Sequence, residues 1–434
     1  MNDTSIKLLS AVKEDLTPSL GVTEPGAIAY AAAAAARALG GNTKSVSVKL
    51  NSCIYKNSFT CFVPGTDGMG CALAAALGAV AGDPQKKLMA TESVSDSDVE
   101  TAKRLVKEGK ATAELYAISP EVFIEAHVET ENGEACSIIS GRHDRLISLI
   151  VNGNELISEA GKQAECQEGS KVSSVTFDEI IECVETAEGL DFISKAVDMN
   201  MALFREGREK GLMPLTEARH RFDTCVTARN SADLFTSGAI EARVRGANAP
   251  AMAITGSGSH GILCSLPVYQ AAVYYGVPGL ERERAVLLSM LITKYIKENS
   301  GLLSTACGCV LAGGTGAALG ITYLFAKQGV NTEKPAVSRG ELRSILFNAL
   351  NSMAASVTGM ICHGGNTGCS LKASVGVEMA FSAAEMAVNG FGAESVHGIL
   401  GCSPEETMKN VGRIAKDMLP LERTIIDIMS CKGE

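Results

Sequence analysis

The stretch SLGVTEPGAIAYAAAAAARALGG, residues 19–41, decides the first half of the fold. Thr23, Glu24 and Pro25 mark a helix start, because a hydroxyl, an early carboxylate and a first-turn proline all suit the positive end of a helix. Consecutive alanines follow, and the glycines at 40 and 41 predict its C-cap. A helix of such small side chains is expected to pack closely against its neighbours. Its N-terminus can bind an anion, or it can simply cap a buried helix.

Length and composition restrict the class of protein. The 434 residues exceed one typical core, and 46% are hydrophobic while 20% are charged, so we expect a globular chain of two domains. A net charge of −10 argues against nucleic acid as a partner, because phosphate binding needs a basic surface. The opening residues MNDTSIKLL lack the pattern of a signal peptide, so we expect a cytoplasmic protein whose grouped cysteines serve metal binding or catalysis.

Hydrophobic patterning divides the chain into two parts. Residues 1–157 mix helix and strand patterns, whereas helical periodicity dominates residues 174–434. The polar stretch 158–173 is predicted as the linker. The fold class is therefore α+β, with an N-terminal mixed α/β domain followed by a mostly all-α C-terminal domain. Within the first domain we expect a strand over 45–51, strand-like residues over 54–66, a small-residue helix over 71–82 and a meander over 121–153.

The segment TACGCVLAGGTGAALGITYLFA, residues 305–326, carries no charge and is long enough to span a bilayer. Its glycine, alanine and cysteine content favours a buried helix instead. We therefore expect no membrane association.

The loop GSGSHG, residues 256–261, fits the dinucleotide fingerprint G-x-G-x-x-G, with Glu281 about twenty residues further on. No βαβ pattern follows, so a Rossmann site is not expected. The glycines, Ser257, Ser259 and the helix that follows would instead offer a nest of backbone N–H groups for a carboxylate or a phosphate. The alternative is a tight turn beside a structural His260.

Four cysteines stand in two glycine-rich segments. Cys307 and Cys309 are separated by one residue, and Cys362 and Cys369 by six, with His363 between them. These spacings fit zinc poorly, because paired zinc ligands are usually separated by two to four residues. Thiolate ligands of iron–sulfur clusters are spaced more loosely, and a cluster held by three cysteines leaves one iron open to a substrate oxygen or sulfur. Cysteines that merely pack in the core are the alternative.

Four segments, in the same order, resemble the L-cysteine desulfidase family, which is related to the α-chain of iron–sulfur L-serine dehydratases. They are NSCIYKNSFTCFVPGTDGMGCALAAALGAVAG, ARVRGANAPAMAITGSGSHGI, TACGCVLAGGTGAALGITYL and GMICHGGNTGCSLKASVGVEMA, and the likeness runs from about residue 15 to the end. The resemblance implies an oxygen-sensitive [4Fe–4S] cluster without pyridoxal phosphate. It also implies α,β-elimination from L-cysteine, which gives sulfide, ammonia and pyruvate through an enamine.

Carried over to this sequence, the resemblance implies Cys362, Cys369 and Cys309 as cluster ligands. Cys307 is the alternative to Cys309, which is favoured because the serine dehydratase ligand also follows a glycine. The implied substrate pocket contains Thr23, Asn57, Ser257 and Ser259. The candidates for the base are Glu24, Lys56 and His260.

The chain departs from the family pattern at one place. The family usually reads Gly-Cys-Thr-Glu-Pro where this chain has Val22 before Thr23, and valine can neither ionise nor bind a metal. Two alternatives therefore stand beside a cluster-dependent lyase on L-cysteine or L-serine. One is a relative that keeps the fold with altered or absent activity, and the other is a lyase that uses pyridoxal phosphate held by GSGSHG. We also expect a homodimer, and we regard the tail thiol of Cys431 as a candidate resting ligand of the open iron.

Overall fold

The structure, a computed structural model, describes residues 2–159, 171–329 and 337–432. Its first half alternates helices and strands before it ends in a run of strands. The elements are α1 (Asp3–Asp15), β1 (Thr17–Leu20), α2 (Thr23–Leu39), β2 (Thr43–Asn51), α3 (Ser52–Ser58), α4 (Cys71–Ala81), α5 (Asp96–Lys107), β3 (Ala111–Ala117), β4 (Phe123–Thr130), β5 (Gly133–Ser140), β6 (Leu146–Val151) and β7 (Asn154–Ser158).

Six of these strands form one mixed sheet in the order β3-β2-β4-β5-β6-β7. Strands β2 and β3 are parallel, and every other neighbouring pair is antiparallel. Alternate residues of β2 are buried in the same core as the alanines of α2 and α4. Gly78 of α4 lies so close to α2 that a Cβ atom there would be 2.2 Å from the carbonyl oxygen of Ala29. The small residues thus allow the two helices to pack closely.

The second half is almost entirely helical around its own large core. Its elements are α6 (Phe177–Thr186), α7 (Asp191–Glu209), α8 (Pro214–His220), α9 (Ala228–Val244), β8 (Pro250–Ala253), α10 (Gly258–Tyr274), α11 (Gly279–Ser300), α12 (Thr315–Gln328), α13 (Arg339–Val357), α14 (Gly368–Val388), α15 (Pro404–Asp417) and α16 (Leu421–Ser430).

The start of the chain also contributes to this second core. Leu8 and Val12 of α1 are buried among its residues, and β1 pairs antiparallel with β8. The division at residues 157 and 174 remains a prediction, and most of the predicted linker lies outside the described residues.

The predicted fold class is confirmed, since the N-terminal half combines helices with the mixed sheet and the C-terminal part is mostly helical. The dinucleotide fold is absent as expected, because β8 is followed by α10 but pairs only with β1, and antiparallel, in the described chain. One helix, Cys309–Lys327, is long and apolar enough to cross a membrane, but 94% of its apolar window is buried inside the protein. The expectation of a buried helix there is confirmed.

One local prediction is wrong. The strand-like reading of residues 54–66 fails because residues 52–58 form α3. Ile54 and Ser58 are both buried one helical turn apart, so tertiary burial overrides the β-prone composition of this segment.

Candidate functional site

Two segments of the helical half bring the four candidate cysteines together. The Cys307 N–H donates to the Met360 carbonyl at 2.8 Å, and the Cys362 N–H donates to the Thr305 carbonyl at 2.7 Å. These two bonds form a short antiparallel bridge between the segments. Cys309 begins a π-helical turn, Cys309–Gly314, that leads into α12, and Cys369 lies in the first turn of α14. Such π-helical turns are frequent at functional sites.

The four thiols lie near enough to influence one another electrostatically. A hydrogen bond between the two thiols lowers the pKa of Cys307 and raises that of Cys309. Burial raises the pKa of Cys369 to about 12, with a further contribution from Cys362. The sulfurs thus lie close together at the junction of the two segments.

Cationic side chains surround this group of sulfurs. Lys297 of α11 is buried, and burial lowers its pKa to about 8, although nearby Cys309 opposes the shift. A Cβ atom at Gly308 would lie 3.1 Å from Lys297 Nζ and 2.7 Å from His260 Nε2. The positive charge of Lys372 also lowers the pKa of Cys307. Such cations favour thiolates and an anionic group bound to them.

The chemistry of the donors fits a [4Fe–4S] cluster. No three His, Cys, Asp or Glu side chains converge on one metal-ion position within 2–159, 171–329 and 337–432. A cubane cluster gives each thiolate a different iron, so its ligands need not meet at one point. Cys309, Cys362 and Cys369 are half-buried, whereas Cys307 is buried. The lowered pKa of Cys307 favours its thiolate form, which is the form that binds a metal, so the choice of Cys309 over Cys307 stays a prediction.

The N-terminus of α2 connects to these cysteines through Asn57. The Asn57 side-chain N–H donates to Glu24 Oε1 at 2.7 Å. The Cys362 thiol in turn donates to Asn57 Oδ1 at 3.6 Å. The backbone of α3 also holds the cysteine loop, because the Gly365 N–H donates to the Asn57 carbonyl at 3.2 Å. Three segments far apart in sequence are thereby joined in one hydrogen-bonded chain.

A buried arginine, Arg243 of α9, joins two of the residues predicted to bind substrate. Its Nη1 donates to Ser259 Oγ at 2.7 Å, and its Nη2 donates to Thr23 Oγ1 at 3.1 Å. Its Nε has no hydrogen-bond partner in the described residues. A buried guanidinium with an unused donor suits a carboxylate. Sequence reasoning did not assign a role to this residue, although it lies in the quoted segment ARVRGANAPAMAITGSGSHGI.

The loop before α10 is strained. Thr255 has φ of 51°, which is rare for a β-branched residue, and such strain often marks functional sites. Its hydroxyl lies 2.7 Å from His260 Nδ1, and burial lowers the pKa of His260 well below its usual value. Ser257 has a different role in this loop from Ser259. The backbone of Ser257 hydrogen-bonds to the backbone of Ile254, and the Ser257 side chain makes no hydrogen bond that caps α10.

The structure gives Lys56 an ion-pair partner. Its Nζ lies 2.5 Å from Glu422 Oε1 of α16, and both side chains are completely buried. Burial alone would lower the pKa of Lys56, but Cys362, Cys53 and Glu422 together raise it above the usual range. A protonated, paired ammonium suits structural support better than proton abstraction.

Val22 lies beside the cysteine loop. It forms a small apolar cluster with Cys61 and Val244, and Cys369 packs against this cluster. The Val22 N–H hydrogen-bonds to the Cys61 sulfur, whose pKa is raised by burial. The position where the related family has a thiol is therefore filled by a methyl-bearing side chain, with Cys61 as its neighbour.

Cys431 lies at the C-terminal end of α16 and is exposed. The adjacent Lys432 contributes to lowering the pKa of His363, after burial, Lys372 and Lys56. The end of α16 thus lies near the cysteine loop, and the role of Cys431 as a resting ligand stays a prediction.

Comparison with known proteins agrees with this architecture. The family model for the serine dehydratase alpha chain matches residues 85–425. A UPF0597 protein of Clostridium botulinum is 35% identical over 97% of this chain and 98% of its own length. UPF0597 proteins of Kosmotoga olearia and Geobacter sulfurreducens are 34% and 31% identical, over 98% and 96% of this chain and 99% and 96% of their own lengths. No solved structure was found to match. The chain belongs to the serine dehydratase alpha chain family, whose name connects it with lyase chemistry.

Proposed function

We propose that this protein is a lyase that eliminates the β-substituent of L-cysteine or L-serine with the help of a [4Fe–4S] cluster. The products are pyruvate and ammonia, with sulfide or water. The observation that carries the proposal is the hydrogen-bonded chain Glu24–Asn57–Cys362, because it joins the polar side chains at the N-terminus of α2 to the cysteine segments.

Cys309, Cys362 and Cys369 would hold the cluster. When bound, it would supply a Lewis-acidic iron for the departing sulfur or oxygen. Lys297 and Lys372 support this arrangement, since their charges offset the negative charge of the thiolates.

Arg243, Ser259 and Thr23 would bind the substrate carboxylate. The free Nε of Arg243 supplies a charge-assisted donor in a buried site, where such bonds are strong. The N-terminus of α2 adds a positive dipole at the same place. Anchoring of the carboxylate would orient the substrate Cα–H bond.

The proposal is tested by anaerobic purification, reconstitution with iron and sulfide, and assay of pyruvate, ammonia and sulfide from L-cysteine and L-serine. We expect a brown protein that releases pyruvate from at least one of the two. Arg243→Met should raise KM strongly, whereas Arg229→Met, on an exposed pair in the same helix, should not. A reconstituted protein with full iron content but no turnover would favour the non-catalytic alternative. Activity that depends on added pyridoxal phosphate would favour the alternative of a lyase that uses that cofactor.

A further inference from the structure

His260 of α10 has its two ring nitrogens in different surroundings. The Thr255 hydroxyl donates to the Ile254 carbonyl at 2.7 Å, so the Thr255 oxygen is left to accept from His260 Nδ1, also at 2.7 Å. The Ile254 carbonyl is a further acceptor for the ring. A neutral imidazole carries one N–H and one lone pair. The proton therefore lies on Nδ1, and Nε2 carries the lone pair.

The strained backbone at Thr255 holds this arrangement in place. Strain of this kind persists only where the surrounding contacts fix it. The Thr255 N–H donates to Asp15 Oδ2 at 3.0 Å, and Asp15 in turn lies 3.3 Å from Lys294 Nζ. The loop is thus anchored to α1 and α11. This anchoring keeps the Thr255 hydroxyl beside the imidazole and so selects the tautomer.

The other ring nitrogen, Nε2, lies beside the cysteine segment. A Cβ atom at Gly308, between Cys307 and Cys309, would lie only 2.7 Å from it, so glycine is needed for this close approach. The side-chain hydrogen bond to Thr255 is the only one that the imidazole makes in the described parts of the chain. Only 5% of His260 is exposed. Buried polar atoms are normally paired, so the free lone pair of Nε2 calls for a partner.

The first turn of α10 joins His260 to the residues proposed to bind the substrate carboxylate. Ser259, the preceding residue, accepts from Arg243 Nη1, while Arg243 Nη2 donates to Thr23. A Cβ atom at Gly258 would lie 2.7 Å from Arg243 Nε, so the unpaired donor of the guanidinium lies against the same turn. Consecutive residues of one helical turn thus contact the carboxylate-binding arginine and supply the free imidazole nitrogen.

The other base candidates are engaged by the protein. Lys56 is held in its buried ion pair with Glu422, and Glu24 accepts from the Asn57 side chain. Burial lowers the pKa of His260; Lys297, Arg243 and His143 of the turn between β5 and β6 reinforce the shift, while the hydrogen bond to the Ile254 carbonyl opposes it. The imidazole is therefore neutral near pH 7 and able to accept a proton.

We propose that His260 is the general base that removes the α-proton of the substrate, with Thr255 as the residue that positions it. This inference rests on the function proposed above. Nε2 takes the proton from Cα, the Cα–H electron pair forms the Cα=Cβ bond, and the Cβ–S or Cβ–O bond breaks with its electron pair on the leaving group. The imidazolium passes its proton to the leaving group or to water. The enamine then tautomerises and is hydrolysed to pyruvate and ammonia.

The test uses the anaerobically reconstituted full chain. His260→Gln and His260→Asn remove the base, Thr255→Val removes the hydroxyl that orients it, and Thr255→Ser restores a hydroxyl. His127→Gln, at an exposed histidine of β4 bonded to Glu125, is the control. The measurements are kcat, KM, the kinetic isotope effect with α-deuterated L-serine or L-cysteine, iron per chain and thermal unfolding. Nitrogen-15 NMR of labelled histidine reports the tautomer independently of activity, and the signal that His260→Gln removes identifies the ring.

We expect the His260 variants to keep their iron content, unfolding temperature and KM, while kcat falls by about 10²–10⁴-fold. The isotope effect on kcat should rise, because proton abstraction becomes the slow step. Thr255→Val should lower kcat by about tenfold or more, since the wrong tautomer turns an N–H toward the substrate, and Thr255→Ser should recover it. The NMR signal of His260 should show a protonated Nδ1 in the wild type and in Thr255→Ser, but not in Thr255→Val.

Unchanged kcat in the His260 variants would overturn the inference and leave the lyase proposal standing, as would a protonated Nε2 in the active wild type. A fall in kcat without an isotope effect would place His260 outside proton abstraction and would also overturn it. If the His260 variants lose iron or fold, Thr255→Val decides, and unchanged kcat there would overturn the inference. A wild-type protein without turnover would overturn both proposals together.

Discussion

Substituting Glu422 by Gln should destabilise the protein strongly. The Glu422 carboxylate contacts the Lys56 ammonium at 2.5 Å, and neither side chain is exposed. The amide keeps the shape but removes the charge, so Lys56 would remain as a buried cation without a counter-ion. Breaking a buried pair in this way costs about 3–5 kcal/mol.

The same substitution should weaken the cysteine site. Glu422 anchors α16 to α3, and the backbone of α3 holds the loop that carries Cys362. At Gly364, a Cβ atom would lie 2.6 Å from the Lys56 carbonyl oxygen, so the loop and α3 are in close contact. A displaced α3 should therefore reduce the iron that the protein retains.

Denaturant unfolding of anaerobic samples measures the effect. The control is Asp427→Asn, which breaks an exposed pair with Arg423 in the same helix and should cost about 0.5 kcal/mol or less. The double variant Lys56→Met/Glu422→Leu should recover most of the loss, because a buried ion pair can be replaced by apolar side chains of similar volume. A Glu422→Gln protein within about 1 kcal/mol of the wild type would refute the reasoning from the buried charge.

Three further predictions concern the same site. Gly365→Ala would place a Cβ atom 2.5 Å from a carbonyl oxygen of α3, so it should cost about 1–3 kcal/mol and lower the iron per chain. Gly359→Ala, which meets nothing within 4 Å, is its control, and equal iron in both would contradict this. Val22→Cys should leave the iron per chain unchanged, because Cys309, Cys362 and Cys369 are the proposed ligands, and a changed iron content would contradict this. A large gain in sulfide release would assign the limiting role to position 22. Finally, burial lowers the pKa of His143 and His260 from 6.5, so the unfolded chain binds more protons in acid. Stability should therefore fall as the pH drops below 6.5, by at most about 1.4 kcal/mol per pH unit for each histidine, and unfolding of His143→Gln should show a smaller fall.

Local sequence signals predicted much of the architecture. The Thr-Glu-Pro start and the glycines after the alanines mark the two ends of α2. The Asn132–Gly133 and Asn152–Gly153 pairs mark turns between strands of the meander. Such signals are readable because they depend only on neighbours in sequence. The segment of α3 was missed because its β-prone residues are held in a helix by contacts with distant elements. Local composition does not encode such contacts.

The site was predictable only in part. Cysteines in glycine-rich segments were recognisable, and Thr23, Asn57 and Ser259 do lie near one another through Arg243 and Glu24. The partner of Lys56 lies 366 residues away, so its role could not be inferred from its own neighbourhood. Arg243 and Lys297 depend on burial created by elements far apart in sequence, and a single charged residue in a helix does not reveal such burial.

The central claim is that Cys309, Cys362 and Cys369 hold a [4Fe–4S] cluster. Its most direct test is iron and sulfide analysis with a visible spectrum after anaerobic reconstitution of the wild type and of single Cys→Ser variants. We predict about four irons per chain in the wild type, in Cys307→Ser and in the exposed control Cys225→Ser, and loss of the cluster in each of the three ligand variants. A colourless, iron-free wild type, or a full cluster in Cys362→Ser, would contradict the account.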